Sequence, residues 1–144
     1  MLSLGTLPLR GELALWHPLD DLHVAPRMPF RSAPEVEAIY VGDELAGYSF
    51  RASGEQPTTW RELGDAGTDA DRFFLVEVEQ IELVIRWLND IALDFENLGG
   101  ERDLEVAEYE NGARVVVLRS PDGNARIFGG FSPDGALTSA FFEA

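Results

Sequence analysis

Two histidines and two aspartates near the N-terminus are the side chains best suited to binding a metal ion. His17 and His23 flank Asp20 and Asp21, and imidazole nitrogens with carboxylate oxygens are ligands that divalent transition metals accept. Five residues, including Pro18, separate the two histidines, and this spacing matches no recurrent ligand pattern. The sequence therefore predicts a solvent-exposed loop here, with no metal site and no cofactor.

Nucleophilic catalysis by a serine is the second chemistry that the residue types of this chain could support. An activated serine needs a neighbouring base and, in many hydrolases, the strand-to-helix turn G-x-S-x-G. The sequence contains neither that motif nor a phosphate-binding loop, and it has no cysteine. Adjacent acids such as Asp43 and Glu44 are expected by composition in a chain with 26 acidic residues. We therefore expect a protein without catalytic residues; the alternative is a small enzyme or ligand-binding domain with a cleft near the proline-rich N-terminal segment.

The acidic excess is confined to the middle of the chain. Residues 35–110 hold twenty acids and five arginines, whereas three acids balance three arginines in each of 1–34 and 111–144. The middle segment thus carries the whole formal charge of −15, a field that repels nucleic acid and anionic membranes and attracts basic proteins. The sequence predicts a basic protein partner, with no nucleic acid and no membrane; a solvated acidic surface explains the same charge without a partner.

A helix predicted over residues 81–95 carries an aromatic residue beside carboxylates. Apolar residues recur on it at three- and four-residue steps and form one stripe, and Gly99-Gly100 predicts its end. Trp87 falls outside that stripe, and a large aromatic residue among acids is typical of an interface anchor with steering charges. The competing interpretation buries the helix on two sides, with Trp87 covered by the loop of Trp60 or by the N-terminal segment. The predicted partner-binding residues are Trp87, Leu83, Asp90, Asp94, Glu79 and Trp60.

The first half of the chain predicts several strands. Prolines argue against long elements in the N-terminal third, where one short strand is expected at 12–16. A hairpin is predicted at 35–41 and 45–51, and a buried central strand at 73–78. Residues 53–71 are expected to form a partly mobile connection with a capped helical turn at 57–63.

The C-terminal segment carries the clearest turn signals. Asn111-Gly112 favours a type I′ hairpin turn, and the sequence Ser-Pro-Asp-Gly occurs at both 120–123 and 132–135. We expect an α+β fold, in which a single domain over 1–144 packs the N-terminal hairpin and a C-terminal four-stranded antiparallel meander on one main α-helix. The four strands of the meander are expected at 104–110, 113–119, 125–129 and 136–142.

The N-terminal residues, the apolar runs and the composition of the chain indicate its location and its class. The N-terminus lacks the basic region of an export signal, and no apolar run reaches the length of a membrane-spanning helix, so a cytoplasmic protein is expected. In being small, acidic, free of cysteine and without catalytic motifs, the chain resembles the immunity proteins that bacteria make against nuclease or deaminase toxins. The resemblance rests on no single residue. It implies an inhibitory protein that docks on a basic partner and occludes it, and a homodimer formed through the helix face is the structural alternative.

Overall fold

Alternating apolar and polar residues produce strands along most of the chain, and the strands form two antiparallel sheets. One short helix follows the seventh strand. The fold is seen in a computed structural model that describes residues 2–9, 11–16, 26–52, 56–67, 72–90, 103–108, 114–120 and 123–143.

The larger sheet, sheet A, has six strands. They are β1 (Leu2–Thr6), β4 (Glu35–Val41), β5 (Glu44–Arg51), β6 (Thr59–Gly67), β10 (Asn124–Phe131) and β11 (Leu137–Glu143). Their order across the sheet is β1-β4-β5-β11-β10-β6, and every neighbouring pair is antiparallel. β6 therefore lies at one edge of sheet A.

The smaller sheet, sheet B, has five strands and carries the helix. The strands are β2 (Glu12–Trp16), β3 (Arg27–Pro29), β7 (Arg72–Glu77), β8 (Leu104–Glu108) and β9 (Arg114–Arg119). Their order is β3-β2-β7-β9-β8, which places the apolar β7 at the centre. A 3₁₀ turn, Val78–Gln80, leads from β7 into the helix α1, Ile81–Asp90.

The inward side chains of the two sheets meet in one hydrophobic core. The ring of Phe142 in sheet A lies edge-on to Tyr48 at 5.4 Å and to Phe73 of sheet B at 5.9 Å, distances typical of favourable aromatic pairs. Leu75 of β7 and Phe50 of β5 belong to the same core and are fully buried. The sheets thus form a sandwich in which most of the apolar surface is buried between strands.

Sheet B is apolar on its second face as well. Phe74 and Val76 alternate with the core residues of β7 and are buried on the opposite side, where Ile81 and Val84 of α1 are also buried. α1 lies against β7. The helix therefore lies on the outer face of sheet B, and none of its described side chains belongs to the core between the sheets.

The predicted α+β fold is wrong, because the sheets pack on each other and not on one main helix. The apolar stripe predicted the start of α1 at Ile81 correctly. Its described length of ten residues covers part of one sheet only. The predicted continuation at 91–95 and the Gly99-Gly100 stop lie outside the described residues, as do His17 and His23.

The predicted four-stranded meander is also wrong. All four strands are present, but β8 pairs with β9 in sheet B while β10 pairs with β11 in sheet A. The chain crosses from one sheet to the other between Arg119 and Asn124, where Gly123 has a positive φ of 68°. A turn sequence specifies that the chain reverses locally, and it does not specify whether the flanking strands pair.

Within the connection predicted at 53–71, residues 59–67 form the nine-residue strand β6, so the helical turn predicted at 57–63 is wrong. Residues 53–55 and 68–71 lie outside the described residues. Pairing with β10 overrides the weak strand propensity of Gly64, Asp65 and Gly67. The strand at 12–16, the hairpin of β4 and β5, and the central strand β7 are confirmed. β1 and β3 were not predicted.

Candidate functional site

The outward face of sheet A is the surface on which the structure gathers exposed aromatic and charged side chains. Phe128 of β10 and Phe141 of β11 are direct cross-strand partners at its centre. Their chain neighbours Ile127 and Phe142 point into the core and are buried, so the two phenylalanine rings must point outward, where both are half-buried. We call this surface the outward face.

Trp60 of β6 adds a third aromatic residue to the outward face. Its side chain is 52% exposed, and it lies opposite Gly130 of β10. A Cβ atom at Gly130 would lie 3.0 Å from Cζ2 of Trp60 and 2.8 Å from Cβ of Pro57. Glycine at this position therefore lets the indole and the proline ring lie directly on β10, with the rest of the indole open to solvent.

Charged residues surround the aromatic centre. Arg126 lies over the ring of Phe128 at 5.5 Å, and its Nη2 is 3.6 Å from Oε2 of Glu62. Carboxylates outnumber guanidinium groups, so the outward face is negative at its rim and apolar at its centre. Strand register places on this face the carboxylates of Glu35, Glu37, Glu44, Glu62, Asp65 and Glu143 and the guanidinium groups of Arg51 and Arg126.

The structure does not bring the six predicted partner-binding residues together. Trp60 lies on the outward face of sheet A, whereas Leu83, half-buried, and Glu79, exposed, belong to the helical segment on the other side of the sandwich. The interpretation in which the Trp60 segment covers the helix is therefore wrong. Trp87 and Asp90 lie on α1 with side chains outside the described part of the structure, and Asp94 lies wholly outside it.

Sequence reasoning missed the two phenylalanines at the centre of the outward face. The signal was present, because Ile127-Phe128 and Phe141-Phe142 each place two large apolar residues next to each other in a strand. Neighbouring side chains in a strand point to opposite faces, so one member of each pair must leave the core. The assignment of the inward member needed the cross-strand register.

A second group of polar side chains joins the two sheets at the end of the β4–β5 hairpin. The Tyr48 hydroxyl lies 2.8 Å from the carbonyl oxygens of both Asp103 and Arg119, between which it shares its proton. Nε and Nη2 of Arg119 donate to Oδ1 of Asp103 at 2.9 and 2.8 Å, and the Tyr40 hydroxyl donates to Oδ2. We call these four residues the tyrosine clamp.

The pKa shifts within the tyrosine clamp fit a structural role, in which the clamp joins the two sheets. Burial raises the pKa of Tyr48, and the hydrogen bond to Asp103 raises the pKa of Tyr40 and also that of Arg119. Both tyrosines therefore remain protonated donors at neutral pH, and the guanidinium group remains charged. The clamp fixes sheet A, which carries the outward face, against the ends of β8 and β9.

The turn between β10 and β11 keeps the two central phenylalanines aligned. The Ser132 hydroxyl and the Ala136 amide both donate to Oδ1 of Asp134, the amide at 3.2 Å. The bond from Ser132 is the main reason why the pKa of Asp134 is lowered. Gly135, with φ 86°, completes the predicted turn, and its amide donates to the Ser132 carbonyl at 2.9 Å.

The described part of the chain contains neither a metal-binding cluster nor a membrane-spanning helix. Its histidine, aspartate and glutamate side chains form no group of three that could hold a metal ion. None of the helices within the same residues is long and apolar enough to cross a membrane. Comparison with known proteins finds no family model, no curated protein and no solved structure that matches this chain.

Proposed function

We propose that this protein binds a basic protein partner through the outward face of sheet A and occludes it, as an inhibitor of the immunity type does. The observation that carries the proposal is the half-exposed Trp60 beside Phe128 and Phe141, within a rim of carboxylates. Aromatic residues at the centre of an interface supply most of its binding free energy, and charges at the rim select the partner and accelerate association.

Charge complementarity decides which kind of partner fits. Six carboxylates and two arginines leave the outward face negative, in a chain whose formal net charge is −15. A second copy of the chain would place two negative rims against each other, and like charges across an interface cost binding free energy. A partner with a basic surface gains from the same rim.

Paired substitutions test whether Trp60 anchors such a partner. Proteins captured from the native host at low salt by the wild-type chain are identified, and the affinity of a basic one is measured for each variant. Trp60→Ala should weaken binding by at least about 2 kcal/mol. Val106→Ala is the matched control, because Val106 is 48% exposed but lies on β8 of sheet B.

The rim charges should act on the association rate. Glu62→Gln with Asp65→Asn should slow association with the captured partner and flatten its salt dependence, because the screening length is about 10 Å at 0.1 M salt. Glu79→Gln with Glu82→Gln removes the same charge from exposed positions of the helical segment on the other side of the sandwich and should change the rate less. Equal effects of the two double variants, with no effect of Trp60→Ala, would show that only the overall charge matters.

A further inference from the structure

β6 is the longest strand at a sheet edge, and one side of its backbone has no strand partner within the described chain. It spans nine residues and pairs only with β10, whereas the other edge strands span five residues or fewer. An edge strand presents backbone N–H and C=O groups that can pair with another extended chain. The open side of β6 is therefore a template for one more strand.

A β-bulge controls which side chains of β6 face outward. The register with β10 shifts at Leu63, so that Trp60 and Glu62 face outward before the shift and Asp65 faces outward after it. Without the shift, Gly64 would occupy the outward position of Asp65. The bulge thus places an indole and two carboxylates in one row along the edge of the outward face.

The outward face is small for a protein interface on its own. The six strands of sheet A, about 4.8 Å apart, and three rows of outward side chains, about 7 Å apart, span roughly 600 Å² including the rim. A partner of standard size covers about 800 Å² on each side. A partner that docks here must gain further contacts, and the backbone edge of β6 adjoins the face.

We propose that β6 accepts an extended, arginine-rich segment of the basic partner, which adds a seventh strand to sheet A. The inference rests on the proposed function and specifies how the partner is recognised. Backbone groups of the segment pair with the open side of β6, as in other complexes formed by strand addition. Alternate arginines lie over Trp60 and beside Glu62 and Asp65, because a guanidinium group both stacks on an indole and pairs with a carboxylate.

A second copy of the chain is the competing occupant of the same edge. Antiparallel pairing of β6 with its own copy would bring Glu62 and Asp65 close to the same two carboxylates, and like charges on paired strands are destabilising. Basic side chains avoid this repulsion. Charge therefore favours the arginine-rich segment over self-association.

Three synthetic peptides of equal charge test the proposal on the full-length protein. The first is a capped nine-residue peptide of alternating threonine and arginine; the other two carry N-methyl groups on all arginine amides or on all threonine amides. Successive amides of a strand point to opposite sides, so only one methylated set blocks pairing. We expect one methylated peptide to bind at least about tenfold more weakly than the unmethylated parent peptide. The other should bind with an affinity closer to that of the parent.

Hydrogen exchange locates the binding. The parent peptide should protect amides within 59–67, and Trp60→Ala should weaken its binding whereas Val106→Ala should not. Equal binding of all three peptides, or protection absent from 59–67, would overturn the strand addition and leave docking through the face alone. Protection, without peptide, of the β6 amides that do not bond to β10, together with a dimeric mass in solution, would instead assign the edge to a second copy. The proposed function is judged separately, by the effect of Trp60→Ala on the captured partner.

Discussion

The two outer surfaces of the sandwich differ in what lies on them. On sheet B, Phe74 and Val76 point away from the core and are buried, with α1 packed against their strand. On sheet A, Phe128 and Phe141 point away from the core and are only half-buried among charges. A strand with apolar residues on both sides needs cover on both sides, and within the described residues only sheet B has that cover. The uncovered apolar residues are the ones available to a partner.

The largest expected effect tests the covered surface, which is the outer face of sheet B. Phe74→Ala should lower the free energy of unfolding by about 3 to 5 kcal/mol, because it leaves a cavity between β7 and its cover. Phe141→Ala removes the same atoms from the outward face and should cost about 1 kcal/mol, because solvent already reaches that ring. Urea unfolding of both variants gives the comparison. Equal losses would mean that the outward face is as tightly covered as sheet B.

The second prediction asks which outer surface holds the partner. If the outward face is the interface, Trp60→Ala weakens binding to the captured partner by at least about 2 kcal/mol and Trp87→Ala leaves the affinity nearly unchanged. The helix face predicted from the sequence requires the opposite result. Titration calorimetry with both variants, after each is shown to be folded, separates the two surfaces.

The third prediction concerns the tyrosine clamp, which joins the two sheets. Tyr48→Phe should lower the free energy of unfolding by about 1 to 1.5 kcal/mol at neutral pH, because two carbonyl oxygens lose their hydrogen-bond donor. The pKa of Tyr48 is raised in the folded state. The stability that its hydroxyl contributes is therefore complete below the unfolded pKa of about 10 and falls as the pH rises above that value. Denaturation between pH 8 and roughly 11 should show a shallower alkaline loss for Tyr48→Phe than for the wild type. An unchanged slope would show that the hydroxyl titrates normally.

The smallest expected effect concerns the contact between the Trp60 indole and Gly130 of β10. Gly130→Ala places a methyl group against Cζ2 of Trp60 and the ring of Pro57, and the half-exposed indole should swing outward. The added methyl group also lies 2.8 Å from Cβ of Pro57, whose ring cannot rotate away, so the Pro57 segment must shift as well. The stability loss should therefore be about 1 kcal/mol, at the lower end of what overpacking costs in a closed core. A red shift of tryptophan emission reports the movement. A large loss of stability without a shift would mean that the indole is held in place.

Local patterns in the sequence predicted most of the strands but not their partners. The hairpin of β4 and β5 was predictable because its turn and its alternation are neighbours in the chain. β6 was missed because its glycines and aspartate favour a loop, and its partner β10 lies about sixty residues later. The candidate site divides in the same way: Trp60 was predicted from the sequence as a partner-binding residue, whereas its position beside Phe128 depended on the pairing of two distant strands.

By itself, the sequence determined the acidic charge of this protein, the start of α1 and the strands with strong alternation, because composition and short-range periodicity act within a few residues. Only the tertiary structure decided that β9 and β10 belong to different sheets, and that Trp60 and α1 lie on opposite sides of the molecule. Strand pairing joins residues far apart in the chain, and its free energy depends on what both faces of the completed sheet can bury. No single segment carries that information.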